Sequence, residues 1–186
     1  MDRGAGNYRR FLSGDDQGIV EIVKEYKDGL ILFLNGYVRN IHIAEELAED
    51  TFFVLLVKKP KYSPKYSFKT WLYTIGRNRA LTYLSRQSRF ADVPIEQLDV
   101  LYQQEAESLE KAYIKKEEKL RLRHAIGVLA PQYGEILYLA YFELLSNQEL
   151  CYVLKKTPKQ ISNLLYRAKQ SLKDELIKEG FEYEVI

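Results

Sequence analysis

Two helix starts eleven residues apart constrain this chain more than any other feature of its 186 residues. Ser146-Asn147-Gln148-Glu149 and Thr157-Pro158-Lys159-Gln160 are both capping boxes. In each, a hydroxyl side chain accepts from the backbone three residues on, and a Glu or Gln reaches back to the cap. The second box also carries proline at the first helical position, where the missing N–H is no loss. The first helix therefore runs only from about Asn147 to Leu154 before the turn at Lys155-Lys156. Short helix, tight turn, longer helix is the helix-turn-helix pattern.

The longer helix has two unlike faces. Ile161, Leu164, Leu165, Ala168 and Leu172 recur at helical spacing and form a core stripe. The opposite face carries Lys159, Gln160, Ser162, Asn163, Tyr166, Arg167, Lys169 and Gln170. From Lys155 to Lys173 there are six basic residues and no acid. Basic side chains neutralise phosphates, while Gln, Asn, Ser and Arg hydrogen-bond base edges in the major groove, which is what a recognition helix requires. An ordinary solvated helix face is the competing reading of the same residues.

The formal net charge of +2 conceals a second, larger segregation. From Lys58 to Arg89 there are nine basic residues and no acid, interleaved with Tyr62, Tyr66, Phe68, Trp71, Tyr73 and Tyr83. Cations beside exposed rings suit single-stranded nucleic acid, with charge following the backbone and rings stacking on bases at roughly 1 to 3 kcal/mol each. Phe68, Trp71, Leu72 and Ile75 share one helical face, so Trp71 is expected in the core rather than on the surface. Tyr62 and Tyr66, in a loop with two prolines, are the better candidates for base contact. Upstream, Glu45 with Glu49 and Glu46 with Asp50 are like-charge pairs one turn apart, each weakening an isolated helix by a few tenths of a kcal/mol. A basic partner surface converts that cost into attraction. Acids near a helix start are the alternative explanation.

Apolar residues recur three and four apart almost throughout, with no sustained alternation of period two, so an all-α fold is expected. A first helical block spans about residues 10–90, with breaks expected at Asp28-Gly29, at Asn35-Gly36 or Arg39-Asn40, and across Pro60 to Ser67. Residues 91–118 hold eight acids against three lysines and read as an acidic linker, and a second block covers 119–180. The longest apolar runs fall far short of the roughly 18 residues of a membrane span, and Met1 to Arg10 lacks a signal-peptide core. Cys151 alone makes no internal disulfide and fits a reducing, cytoplasmic setting; it reads as packing. His42 and His124 lie far apart, and neither a phosphate-binding glycine loop nor a nucleophile elbow is present, so no catalytic residue, metal or cofactor is expected.

Taken in order, these blocks resemble the extracytoplasmic-function (ECF) group of the sigma-70 family. Ala44-Glu45-Glu46-Leu47-Ala48-Glu49-Asp50-Thr51-Phe52 is similar to the family's A-E-D-L-V-Q-E-T-F, and the segment Ser67 to Asn78 to its S-F-x-x-W-L-x-x-I-A-R-N. Leu129-Ala130-Pro131-Gln132-Tyr133 resembles its L-P-x-x-x, and Tyr141-Phe142-Glu143-Leu144-Leu145-Ser146 its Y-F-E-G-L-S. The resemblance implies a region 2 helical bundle and a region 4 helix-turn-helix. It implies a factor that brings core RNA polymerase to promoters, reads minus-10 and minus-35 elements, assists strand opening and is a target for an anti-sigma factor.

Carried over by residue, Glu45, Glu46, Glu49 and Asp50 would dock on the clamp of the polymerase large subunit. Tyr62, Lys65, Tyr66, Phe68, Arg77 and Asn78 would serve the minus-10 element, with Asn78 reading a flipped base and Tyr62 to Phe68 forming its pocket. Lys155, Lys156, Lys159, Gln160, Ser162, Asn163 and Arg167 would serve the minus-35 element. Two departures stand out: Thr82-Tyr83 replaces an acid or Asn followed by Arg, and Lys155 replaces a turn glycine. A left-handed lysine costs on the order of 1 kcal/mol, so an altered turn is expected there. A stand-alone helix-turn-helix regulator remains the rival reading.

Overall fold

The computed structural model describes residues 2–90, 122 and 125–178. The acidic linker expected at 91–118, the start of the second block and His124 lie outside the described residues. Among those residues every regular element is helical. The first unit comprises α1 (Arg3–Leu12), α2 (Gln17–Val38), α3 (Ile41–Lys58) and α4 (Phe68–Phe90). The second comprises α5 (Pro131–Leu137), α6 (Asn147–Leu154) and α7 (Pro158–Lys178), and α5 continues into a π-helical turn over Tyr138–Phe142.

Helix α1 was not expected from periodicity, because of its ten residues only Ala5, Tyr8, Phe11 and Leu12 are large or apolar, and Leu12 is exposed. Tertiary contact makes it. It lies on α2 so closely that a Cβ at Gly18 would sit 2.3 Å from the Asn7 carbonyl oxygen. Helix α2 also corrects the expected breaks, running unbroken through Asp28-Gly29 and Asn35-Gly36. Gly29 is needed there for clearance rather than as a turn: a Cβ would lie 2.6 Å from the Tyr73 hydroxyl and 2.9 Å from Glu143. The break comes at Arg39, which is left-handed, followed by Asn40, whose side chain accepts from His42 N–H and Ile43 N–H to start α3.

Ile22, Leu30, Leu34, Leu55, Phe68 and Leu72 are fully buried where α2, α3 and α4 meet. The second unit buries Ile136, Leu139, Leu150, Val153, Ile161 and Ala168. These are one continuous apolar set, since the two units pack on each other through α2 and α5 and through α4 and α6. No helix among the described residues is long and apolar enough to cross a membrane.

Candidate nucleic-acid interface

Both expected capping boxes form. Ser146 Oγ accepts from Glu149 N–H at 3.4 Å while Glu149 Oε2 accepts from Ser146 N–H at 3.0 Å. Thr157 N–H likewise donates to Gln160 Oε1 at 2.9 Å, and Gln160 N–H to Thr157 Oγ1 at 3.3 Å. Between the two helices Lys155 is left-handed at φ 52° and ψ 46°, with its N–H and that of Lys156 both directed at the Cys151 carbonyl. The turn thus keeps the helix-turn-helix shape despite lacking glycine, in place of the altered turn expected. Leu144, where the resembled pattern has glycine, is left-handed too, at φ 57°, and 80% exposed.

On α7 the core stripe is as expected, with Ile161 and Ala168 fully buried and Leu164, Leu165 and Leu172 half-buried. Lys159, Gln160, Ser162, Asn163 and Arg167 all face solvent, and Lys155 is exposed beside them. Lys156 is half-buried, and its charge acts to lower the Glu135 pKa. Cys151 is half-buried against the core, a packing position.

On α3, Glu45, Glu46, Glu49 and Asp50 are exposed on the side opposite buried Ala44, Leu47, Ala48, Phe52 and Leu55. They project into solvent at the middle of the helix, beyond the first turn where a dipole explanation would hold. Among the described residues, Asp50 is the one of the four with a cationic partner from another element, Arg79 Nη1 at 2.8 Å. Just beyond them Phe53, Leu56 and Val57 are exposed by 60%, 46% and 59%, so the acidic face adjoins an apolar one.

The basic aromatic segment is more tightly packed than its composition implied. Tyr62 is half-buried, its ring 5.7 Å from Phe68 and 5.3 Å from Trp71, and its hydroxyl donates to the Tyr66 carbonyl at 2.6 Å. Burial is the main reason its hydroxyl is pushed up from the ordinary value. Phe68 is fully buried and supports the loop from beneath, so it does not meet nucleic acid directly. Trp71 is half-buried among Tyr8, Tyr62 and Phe68, as its helical face indicated. Lys65 is exposed, with its ammonium 5.6 Å from the Tyr66 ring. Asn78 is exposed and lines a shallow groove with Leu81, Thr82, Ser85 and Arg86. Ten helical residues, about 15 Å of rise, separate Phe68 from Asn78. Asn78 therefore lies well along α4, apart from the loop that precedes the helix, and the two do not form one pocket.

Five further polar residues, Tyr37, Ser67, Thr70, Glu135 and Glu149, were missed as site residues because their significance is inter-unit. Ser67 Oγ and Thr70 Oγ1 both donate to Glu149 Oε1, at 2.7 and 2.6 Å. Arg77 Nε donates to Glu135 Oε1 at 2.6 Å, where the Tyr37 hydroxyl also donates. Burial pushes the Glu135 carboxyl up to about 8, against the lowering effect of the Lys156 charge, and pushes the Arg77 guanidinium down.

Two family descriptions match along the chain, Sigma-70 region 2 over residues 22–90 and Sigma-70, region 4 over residues 119–172. The chain belongs to the sigma-70 family. Among sigma factors it is similar to YlaC of Bacillus subtilis (strain 168), 24% identical over 86% of this chain and 92% of that one. It is also similar to the ECF sigma factor SigM of the same organism, 25% identical over 83% and 93%. These relatives and the region 4 match mark it as an ECF sigma factor. The fold is that of RpoE from Bartonella quintana, solved with the anti-sigma factor NepR (TM-score 0.67, 20% identity, 84% of this chain and 94% of that one). CnrH, solved with the cytosolic domain of CnrY, gives a TM-score of 0.62 at 19% identity over 95% and 97%.

Proposed function

We propose that this sigma factor binds core RNA polymerase in the cytoplasm, directs it to specific promoters and assists strand opening, without catalysing a reaction itself. The observation that carries the reading is that both promoter-reading regions occur in order on one chain. Region 2 spans residues 10–90 with α1 added in front, and region 4 spans 119–180. The linker 91–118, about 28 residues and up to roughly 90 Å when extended, is long enough to let both reach separated elements.

Glu45, Glu46, Glu49 and Asp50 dock on the clamp of the polymerase large subunit, because their exposed like charges are a local cost that a basic partner reverses. Tyr62, Lys65, Tyr66 and Arg77 flank the unpaired minus-10 strand and Asn78 reads a base from it, with Phe68 as the floor beneath the loop. Lys159, Gln160, Ser162, Asn163 and Arg167 enter the major groove at the minus-35 element while Lys155 and Lys156 hold phosphates. An anti-sigma factor is a further partner, on the precedent of the RpoE and CnrH complexes.

The deciding experiment is run-off transcription with bacterial core polymerase on supercoiled DNA carrying the promoter upstream of this protein's own gene. A discrete start that depends on the protein supports the reading. Absence of a transcript and of any complex with core, together with sequence-specific duplex binding, would replace it with the stand-alone regulator.

A further inference from the structure

The segment 59–67 that joins α3 to α4 contains Pro60 and Pro64 and no regular hydrogen-bonded element. A loop of this kind keeps one shape only where side chains satisfy its backbone and pack against it. Helix α1, which lies ahead of the residues matched to region 2, supplies those side chains.

Where the loop begins, the Tyr8 hydroxyl donates to the Pro60 carbonyl at 2.7 Å, across 52 positions of sequence. Tyr8 is fully buried, its ring 5.5 Å from Phe68 and 5.3 Å from Trp71, so the hydroxyl has little freedom to turn elsewhere. Burial pushes that hydroxyl up to about 12, and it stays a donor throughout the neutral range. Beside it Lys59 is left-handed at φ 43°, with its ammonium 4.7 Å from the centre of the Phe11 ring. Where the loop ends, Asp2 Oδ2 accepts from Phe68 N–H at 2.6 Å. Gly4 fits against the Phe68 ring, since a Cβ there would lie 2.5 Å from Phe68 Cδ1. Between the two ends Tyr62 packs on Phe68 and Trp71, and after burial the charge and hydrogen bonding of Asp2 also act on its hydroxyl. The tip is left uncovered: Ser63, Pro64 and Lys65 are exposed, and the Tyr66 ring stacks on Tyr152 of region 4 with centroids 4.2 Å apart.

We infer that α1 braces the minus-10 loop, with Tyr8 and Asp2 as positioning residues that set its affinity and base preference without touching DNA. The inference rests on the reading that Tyr62 to Tyr66 face the minus-10 strand. With both ends held, the loop is ordered on folding rather than on binding, which leaves more of each contact as affinity. The same frame keeps the tip in one relation to α4, so that a base is tested against a single shape.

The test uses the full chain with Tyr8→Phe, which removes one hydroxyl and keeps the ring, or Asp2→Asn, which keeps one capping oxygen and loses the second acceptor. Ile31→Ala, at a buried position on α2 outside α1 and the loop, is the control for lost stability alone. Circular dichroism checks that each is folded. In the free protein, tryptic cleavage after the exposed Lys61 and Lys65 reads local opening of the loop. In the holoenzyme, binding is measured for a single-stranded oligonucleotide carrying the minus-10 bases of the promoter upstream of this protein's own gene, and for oligonucleotides with each of those bases replaced in turn. Both α1 variants should be cleaved about fivefold faster, which is what one lost hydrogen bond is worth when cleavage follows the open population, and should discriminate against the replaced bases less well by a similar factor. Their binding of minus-35 duplex should not change, and Ile31→Ala should match the parent in cleavage and discrimination. Parental discrimination by folded Tyr8→Phe and Asp2→Asn overturns the inference, as does an equal loss in Ile31→Ala. If cleavage responds to the variants but the parent holoenzyme does not bind the oligonucleotide, α1 still braces the loop, and the reading that the loop meets the minus-10 strand is what fails.

Discussion

The carboxylate of Asp2 caps two helices 66 residues apart. Its Oδ1 accepts from Ala5 N–H at 3.0 Å, starting α1, and its Oδ2 accepts from Phe68 N–H at 2.6 Å, starting α4. Because α4 carries Arg77 and Asn78, the residues proposed to meet the minus-10 strand, an acid 66 positions before its first residue sets where that helix begins. Asp2→Ala should lower unfolding stability by about 1 to 2 kcal/mol, the usual cost of a lost cap. Urea unfolding checks it, and an unchanged midpoint would show that the second cap contributes nothing.

Reversing Glu45, Glu46, Glu49 and Asp50 to lysine should abolish promoter-dependent transcription and co-purification with core polymerase. The four sites are exposed, so stability should move by no more than about 0.5 kcal/mol at each. A folded quadruple variant that still forms the holoenzyme would remove α3 from the docking surface.

Asn78 and Phe68 should separate by phenotype. Asn78→Ala takes away an exposed amide and should weaken binding of a minus-10 single strand by roughly 1 to 3 kcal/mol, the value of a good base-edge contact, with little change in melting. Phe68→Ala empties a fully buried site and should cost about 3 to 5 kcal/mol of stability. Equal effects of the two on stability would contradict their placement.

Glu149 offers a pH signature. Partial burial raises its pKa, but hydrogen bonds from Thr70, Ser67 and Ser146 outweigh that and bring it from 4.5 to about 2. The shift is downward, so the contacts contribute fully above pH 4.5 and are lost as pH falls toward 2. Carbon-13 resonance of the Glu149 carboxyl should titrate near the lower value, and Ser67→Ala with Thr70→Val should move it up. A midpoint already at the ordinary value in the parent would mean the region 2 hydroxyls do not hold it.

Leu144 and Lys155 both sit left-handed without being glycine. Leu144→Gly and Lys155→Gly should each stabilise the protein by up to about 1 kcal/mol. Lys155→Gly should also weaken minus-35 duplex binding and flatten its salt dependence, because a phosphate contact goes with it. Thermal unfolding and a salt titration separate the two effects, and destabilisation by either change would contradict the backbone geometry.

What the sequence determined by itself was everything written in local chemistry. The capping boxes at Ser146 and Thr157 define α6 and α7 because the atoms that satisfy them lie within three residues. The faces of α3 and α7 follow from helical spacing. Tertiary structure decided the rest. Gly29 reads as a break until the approach of Tyr73 and Glu143 shows why a glycine must stand in an unbroken helix. Helix α1 has too few apolar residues to be read alone and is held by packing on α2 and by Asp2. Tyr62, Tyr66 and Arg77 have the composition of an open nucleic-acid surface, yet their partners are Phe68, Tyr152 and Glu135, the latter two from a region that follows a linker. Capping and periodicity are fixed by the chain's own neighbours, whereas the burial of a ring or the pairing of a guanidinium depends on which distant surface arrives, and no local pattern encodes that.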